Sequence, residues 1–364
     1  MKDVTCFINS LAGGGAEHQL IILANLLCER GFRVTFLTYN DSDDGQYTLN
    51  PKIAYKSIVT KGGRVRKLWE ISKFLYKHQT DCFISYRAPV NSILLLPMLF
   101  RRNVKVIVGE RNFTWGNPTL VERLNFALLY RRADYIVPNS ISQMNYIVAK
   151  KPQFKDKTIT IRNYTELDKY EPKESPNGEK MIFSIFCRYA EQKNYSNFAK
   201  AVCLLRDKGY KKCLFNWYGK IKNDEGNTNI HYIRFLDLIK ELGLEEMIEL
   251  HDLVIDVPEK MKKADVICLP SLYEGFSNSL SEAICCAKPV VASNVSDNAL
   301  MVKDGVNGYL FNPMSVEEMS DALIKMYNTT VDTRKKMASA SRVIAEELFN
   351  KDEFVRAYEK LIES

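Results

Sequence analysis

The sequence predicts an α/β protein of two Rossmann-like, doubly wound domains facing each other across a cleft. Three observations carry this. The chain has 364 residues, more than one hydrophobic core usually covers. Short β-rich apolar runs alternate with helical patterns, the order that builds parallel sheets covered by helices. The alternation breaks once, over 163–180, and then restarts.

The first strand is "VTCFINS" (4–10), apolar on both faces as a buried parallel strand must be. "EHQLIILANLLCERG" (17–31) has helical spacing, and Gly31 sits where a C-cap belongs. "RVTFLTY" (33–39), "CFISY" (82–86), "VKVIVGE" (104–110) and "ADYIVPNS" (133–140) read as further strands. The break, "NYTELDKYEPKESPNGEK", holds two prolines, a glycine and many charges, the composition of a linker. A second series then begins with "MIFSIFCR" (181–188), a helix over 197–209 and "CLFNWYG" (213–219). "IELHD" (248–252), "DVICLP" (265–270) and "KPVVAS" (288–293) follow, with helices between. The expected domains are 1–170 and 171–345. From about Val331 the chain is helical and charged; its end, 346–364, either caps the second domain or packs back on the first.

Composition narrows the classes. With 46% hydrophobic and 26% charged residues, the chain is an ordinary globular one. The longest apolar stretch, "NSILLLPMLF" (91–100), is too short for a membrane span and ends in two arginines. The N-terminus reads as a strand, not as a signal peptide. Nine scattered cysteines without a CxxC pair suggest reduced thiols and a cytoplasmic protein. Four histidines and no Cys/His cluster give no built-in metal site. Residues 1–170 carry 25 Lys and Arg against 14 Asp and Glu, whereas the rest carries 26 against 30. A first domain this basic attracts an anionic membrane, nucleic acid or phosphorylated substrates, unless the charges merely solvate helix ends. No nucleic-acid signature accompanies the charge, so no nucleic-acid partner is expected.

In open parallel sheets ligands bind beyond the carboxyl ends of strands, so the loops there matter most. "LAGGGAEH" (11–18) follows the first strand. It is not GxGxxG, since His18 stands where the third glycine would be. Gly14 and Gly15 still let a ligand approach backbone at a helix N-terminus; otherwise this is a tight βα turn. "CRYAEQKN" (187–194) opens the second series. Arg188 and Lys193 can neutralise a diphosphate there, or stand as two solvated cations.

"LPSLYEGFSNSLSEA" (269–283) carries Glu274 and Glu282 around a loop-to-helix junction. The backbone N–H groups from Gly275 through Phe276, Ser277, Asn278 and Ser279 to Leu280 form an anion cradle at a helix start. Acids on either side of such a cradle are placed to accept hydroxyl groups flanking a diphosphate. A nucleotide-sugar has that layout. The competing reading is one capping and one loop glutamate. In the first domain, "VGERNFTW" (108–115) offers Glu110, Arg111 and Asn112 at a strand end, and "SYRAPVN" (85–91) offers Arg87. Both sets can equally form salt bridges. His78, His231 and His251 read as structural or exposed.

Taken together, "GGGAE", "CRYAEQKN", "EGFSNSLSEA" and "KPVVASNVSDNALMVKDGVNGYLF" (288–311) resemble the family-4 glycosyltransferases, the glycosyl transferases of group 1. The resemblance implies the GT-B fold, with an acceptor-binding first domain and a nucleotide-sugar-binding second one. It implies a retaining, metal-independent enzyme with no cofactor beyond its nucleotide-diphosphate sugar, UDP first. Arg188 and Lys193 would then stabilise the leaving diphosphate and Glu274 would hold the donor sugar, helped by the N–H groups of Gly275, Phe276 and Ser277. Asn278, Ser279 and Leu280 would meet phosphates, Glu282 the ribose, and Gly14 and Gly15 the donor phosphates or acceptor. Two positions depart from the family. Cys187 stands where many members have glycine, and "GERN" where many have a histidine. The latter leaves Glu110 or Asn112 as the polar group near the reacting sugar. The "ERN" variant resembles members that add hexoses or N-acetylhexosamines to lipid-linked bacterial glycans of surface polysaccharides and lipopolysaccharide. A polyprenyl-diphosphate-linked acceptor and the inner face of the plasma membrane would follow. A GT-B epimerase, a phosphorylase-like enzyme and a non-catalytic sugar-binding protein are the alternatives.

Overall fold

A computed structural model describes residues 2–12, 14–42, 48–59, 62–111, 119–172, 178–222 and 226–364. The chain divides into two compact units, residues 1–164 with 350–364, and residues 165–349. The sequence-based boundaries were 170/171 and 345/346.

In the first unit β1 (Asp3–Ile8), α1 (Gly15–Glu29), β2 (Arg33–Thr38), β3 (Ala54–Ser57) and α2 (Arg64–Lys77) come first. β4 (Cys82–Tyr86), α3 (Ala88–Met98), β5 (Lys105–Glu110), α4 (Leu120–Ala127), β6 (Tyr135–Pro138) and α5 (Ile141–Lys150) follow. The described strands form one six-stranded sheet in the order β3-β2-β1-β4-β5-β6, with every pairing parallel. β4 is buried throughout and β1 and β5 in all but their first residue, which is why they read as unbroken apolar runs. β3, with its sequence "AYKS" mostly exposed at the sheet edge, carries no such signal.

In the second unit β7 (Met181–Phe186), α6 (Tyr195–Asp207), β8 (Cys213–Tyr218), α7 (Ile230–Glu241), β9 (Ile248–His251) and α8 (Val257–Lys262) come first. β10 (Val266–Leu269), α9 (Asn278–Cys285), β11 (Val290–Ser293), α10 (Asn298–Met301), β12 (Gly308–Phe311), α11 (Val316–Tyr327) and α12 (Val331–Leu348) follow. The sheet order is β12-β11-β10-β7-β8-β9, again parallel. Its core is aromatic: Phe183 stacks on Phe215 at 4.8 Å, and Phe198 and Phe235 meet Trp217 edge-on. The "GVNGYLF" segment belongs to this packing. A Cβ on Gly308 would lie 1.9 Å from the Val290 carbonyl oxygen, so only glycine lets β12 approach β11 here. Buried Asn307 donates to the Met301 carbonyl and to Ser341 Oγ.

The helical C-terminus is two helices. α12 belongs to the second unit, and α13 (Lys351–Glu363) belongs to the first. Within the first unit the Tyr358 hydroxyl meets that of Tyr86 at 2.7 Å and accepts from Arg111 at 2.6 Å. Among the described residues, no helix is long and apolar enough to cross a membrane.

Candidate functional site

The sheet order places the site. In the second unit β7 pairs with β10 on one side and β8 on the other. β8 and β9 are added on one side of β7 and β10, β11 and β12 on the other, so the strand order reverses between β7 and β10, and a crevice opens beyond their carboxyl ends at such a switch point. The loops leaving those strands are 187–194 and 270–277, the stretches that carry Arg188, Lys193 and Glu274.

These loops are laced together. The Leu272 N–H donates to the Gln192 carbonyl at 2.9 Å, and Gln192 Nε2 donates to the Tyr273 carbonyl at 2.8 Å. Asn194 adopts the left-handed conformation, φ 61°, directly before α6, a position asparagine tolerates. Its buried amide donates to the carbonyls of Pro270 and Pro313 at 3.0 and 2.8 Å, joining the loops after β7, β10 and β12. The result is a direct ion pair. Lys193 Nζ lies 2.5 Å from Glu274 Oε1, with the side chains only 12% and 10% exposed. Arg188 is exposed.

Cys187 fills the position where glycine is common. Its thiol packs against the core, and burial pushes it up to about 12, with Lys193, Glu274 and Arg188 as the charges it feels. It is therefore a neutral packing group at neutral pH. The loop is not pushed aside, because Trp217 Nε1 donates to the Cys187 carbonyl and the Cys187 N–H to the Tyr218 carbonyl.

α9 starts at the junction, with Ser277 as N-cap accepting from the Leu280 N–H at 3.3 Å. The Leu280 N–H is thus engaged by the cap, and its side chain lies in the core. Phe276 is buried edge-on to Phe349, and the Gly275 carbonyl accepts from Ser296 Oγ at 2.8 Å. The buried hydroxyls of Ser271 and Ser279 have no hydrogen-bond partner among the described residues. Unpaired hydroxyls in the loop after β10 and in the first turn of α9 suit a polar ligand. Asn278 is half-buried in the first turn. Glu282, half-buried on α9, accepts from the Tyr170 side chain, and burial raises its carboxyl to about 7. Tyr170 is held in turn by Arg342, which donates to its carbonyl at 2.9 Å.

The first unit has its own switch point, between β1 and β4. Gly14 is the N-cap of α1 and Gly15 its first residue. A Cβ on Gly14 would lie 2.2 Å from Glu17 Oε2. Buried Glu17 accepts from Arg87 Nη1 at 2.5 Å, and Arg87 also donates to Asn9 Oδ1 at 3.2 Å. Arg87 holds φ 79° at the end of β4, a strained value for a side chain of this kind. We expect Gly14→Ala to displace buried Glu17 and free Arg87, lowering activity several-fold and lowering the melting temperature as well. Unchanged kinetics would show that the Glu17–Arg87 arrangement is irrelevant to turnover.

Glu110 is buried, and its carboxyl accepts from the Tyr130 hydroxyl and from Asn91 Nδ2. Burial raises it to about 8. Asn112 lies outside the described residues. Arg111, which the sequence left open between a ligand-facing group and a salt bridge, is engaged inside its own unit. Arg111 is buried, its guanidinium 3.9 Å over the Tyr86 ring, and it donates to Asn163 Oδ1 and the Tyr358 hydroxyl. A buried guanidinium must find acceptors, and here they tie α13 to the sheet.

Sequence reasoning passed over Gln192, Asn194, Tyr170 and Glu17. Three of them lie inside stretches already singled out, where an asparagine before a helix and the Glu after the glycines were the available signals. Tyr170 sits in the linker and had none.

The chain is similar to known proteins. Residues 167–343 match the family described as glycosyl transferases group 1. The chain is 24% identical to N-acetylgalactosamine-N,N'-diacetylbacillosaminyl-diphospho-undecaprenol 4-alpha-N-acetylgalactosaminyltransferase of Campylobacter jejuni, over 92% of this chain and 95% of that one. Over 76 residues, 21% of this chain and 20% of the relative, it is 32% identical to an Escherichia coli UDP-Gal:alpha-D-GlcNAc-diphosphoundecaprenol alpha-1,3-galactosyltransferase. The structure of HepE from Anabaena with UDP and glucose superposes with a TM-score of 0.83 at 17% identity, covering 100% of both chains. That likeness shows the GT-B fold.

Proposed function

We propose that this chain, a glycosyltransferase belonging to the glycosyl transferases of group 1 through residues 167–343, moves a hexose or N-acetylhexosamine from a UDP-sugar to a lipid-linked glycan acceptor with retention of configuration. The observation that carries this reading is the buried Lys193–Glu274 pair at the β7/β10 switch point, beside the N-terminus of α9. The two relatives named for diphospho-undecaprenol substrates support the acceptor class. The HepE complexes with UDP support the donor.

The chemistry follows from charge. Breaking the sugar–phosphate bond leaves negative charge on the diphosphate and positive character on the sugar. Lys193, Arg188 and the first-turn N–H groups of α9 stabilise the diphosphate. Glu274, neutralised by Lys193 at rest, accepts hydroxyls of the donor sugar as the phosphates draw the lysine over. In same-face attack the departing phosphate oxygen takes the acceptor's proton, so no carboxylate is required as base. The charge on the diphosphate is met by these side chains without a metal ion. Glu282 accepts the ribose hydroxyls. The product would extend a bacterial surface glycan, such as a polysaccharide or lipopolysaccharide precursor.

Incubation with labelled UDP-, GDP- and ADP-sugars and polyprenyl-diphosphate-linked acceptors tests this. Transfer from a UDP-sugar with the anomeric configuration kept is the expected result, unaffected by EDTA. Folded protein that neither transfers nor hydrolyses any of these donors would overturn it. A pH dependence follows from Glu282. Its carboxyl, raised to about 7, accepts ribose hydroxyls best when ionised, so UDP should bind more weakly below that pH. Calorimetric titrations between about pH 6 and about pH 8 should show this dependence, and Glu282→Gln should flatten it. A wild-type affinity level across that range would remove Glu282 from the ribose site.

A further inference from the structure

The first unit carries an apolar and basic surface that its own fold leaves uncovered. α2 buries only Ile71 and Leu75 against the core. On its outer side Val65 and Trp69, one helical turn apart, are 84% and 60% exposed, and Tyr76 continues the same stripe two turns on. Five cations, Arg64, Arg66, Lys67, Lys73 and Lys77, accompany a single acid, Glu70, in this helix. Lys73 Nζ lies 4.8 Å over the Trp69 ring, so the charge rides on the edge of the aromatic surface.

The surface extends beyond one helix. α3 packs against α2 and against α4. At the end of α3 Phe100 is 80% exposed, followed by Arg101 and Arg102. On α4 Leu120 and Leu124 are exposed four residues apart, and Leu128 just after the helix is exposed too. Arg101 makes the α2–α3 edge rigid, since its Nη1 donates to the carbonyls of Leu75, Tyr76 and His78, which end α2. Scattered exposed apolar side chains need no explanation, but apolar stripes at helical spacing do.

We propose that the outer face of α2, with the exposed ends of α3 and α4, docks the first unit on an anionic lipid bilayer. The charge pattern selects this occupant. Aromatic and aliphatic side chains at one level with flanking lysines and arginines match an acyl–headgroup boundary, where the rings sit among headgroups and the cations meet lipid phosphates. A protein partner would have to be both apolar and strongly acidic. Residues 1–170, with 25 Lys and Arg against 14 Asp and Glu, add long-range attraction to the same negative surface. The inference rests on the lipid-linked acceptor of the proposed function for its purpose, but its test needs no turnover.

The wild-type chain is mixed with phosphatidylglycerol/phosphatidylcholine vesicles and with pure phosphatidylcholine vesicles. Bound protein is read by sedimentation, and Trp69 by the blue shift of its emission in a W115F background, while Trp217 stays buried. Binding to the anionic vesicles alone, weakened by about 0.5 M NaCl, is expected. The V65Q/W69Q variant should bind about tenfold more weakly or worse, and R66Q/K73Q/K77Q should lose the dependence on anionic lipid. Both should keep the wild-type melting temperature and the transfer rate to a short-chain, water-soluble acceptor. Vesicle binding unaltered in V65Q/W69Q would overturn the proposal. So would a wild-type chain that ignores vesicles but self-associates through this face. Loss of transfer to the short-chain acceptor in the wild-type chain would instead count against the proposed function, whatever the vesicles show.

Discussion

Lys193→Ala should lower kcat by about 10²–10³ while donor affinity changes little. In the proposed mechanism the lysine meets charge that develops as the diphosphate leaves, so its effect would belong to the transition state. It also has a resting partner. Lys193 and Glu274 form a pair with both side chains nearly buried, and removing one partner strands the other charge at a cost of about 3–5 kcal/mol in stability. The two effects separate in a cycle. Lys193→Ala/Glu274→Gln removes the stranded charge and should recover most of the melting temperature but not the rate. Single-turnover kinetics with UDP-sugar, beside thermal melts of Lys193→Ala, Glu274→Gln and the double variant, measures both. Wild-type turnover in Lys193→Ala would end the leaving-group role. Recovery of rate in the double variant would show that stability alone had been lost.

Stability should fall as pH rises from about 4.5 to about 8, and Glu110→Gln should remove much of that slope. The Glu110 carboxyl, raised by burial from 4.5 to about 8, holds its proton in the folded chain long after the unfolded chain has released it. The folded state therefore binds more protons through this window, and folding weakens with rising pH by about 1.4 kcal/mol per unit. Below the unfolded value the contribution is constant. Above about 8 the full penalty is present. Glutamine keeps an acceptor for the Tyr130 hydroxyl and Asn91 without an ionisable proton. Denaturant titrations of both proteins at several pH values give the difference curve. A difference that stays flat from about pH 5 to about pH 8 would refute a buried, protonated Glu110.

Much of the fold was legible because buried parallel strands leave an unmistakable trace. β1, β4, β5, β7 and β10 are apolar on both faces, and helical spacing separates them. β3 was silent because an edge strand packs on one side only and "AYKS" carries no alternation strong enough to see. In the candidate site, the residue types and their strand-end positions were readable for Arg188, Lys193, Glu274 and Glu282. Their pairings were not. The contact of Lys193 with Glu274 joins residues 81 positions apart, and no local pattern encodes a partner at that distance.

Arg111 and Arg87 show the same limit from the other side. Each follows a strand, and each looked able to serve a ligand or a salt bridge. Tertiary structure separated them: Tyr86, Tyr358 and Asn163 close around Arg111, whereas Arg87 stays partly open on Glu17 with a strained backbone. The sequence by itself determined the two parallel sheets and the loops at their carboxyl ends. Periodicity, chain punctuation and motif spacing are local properties that survive without a fold. Only the tertiary structure decided which charges are paired, which are buried and protonated, and which apolar side chains remain outside. Those depend on which distant segments the packed sheets bring together and how much water they exclude.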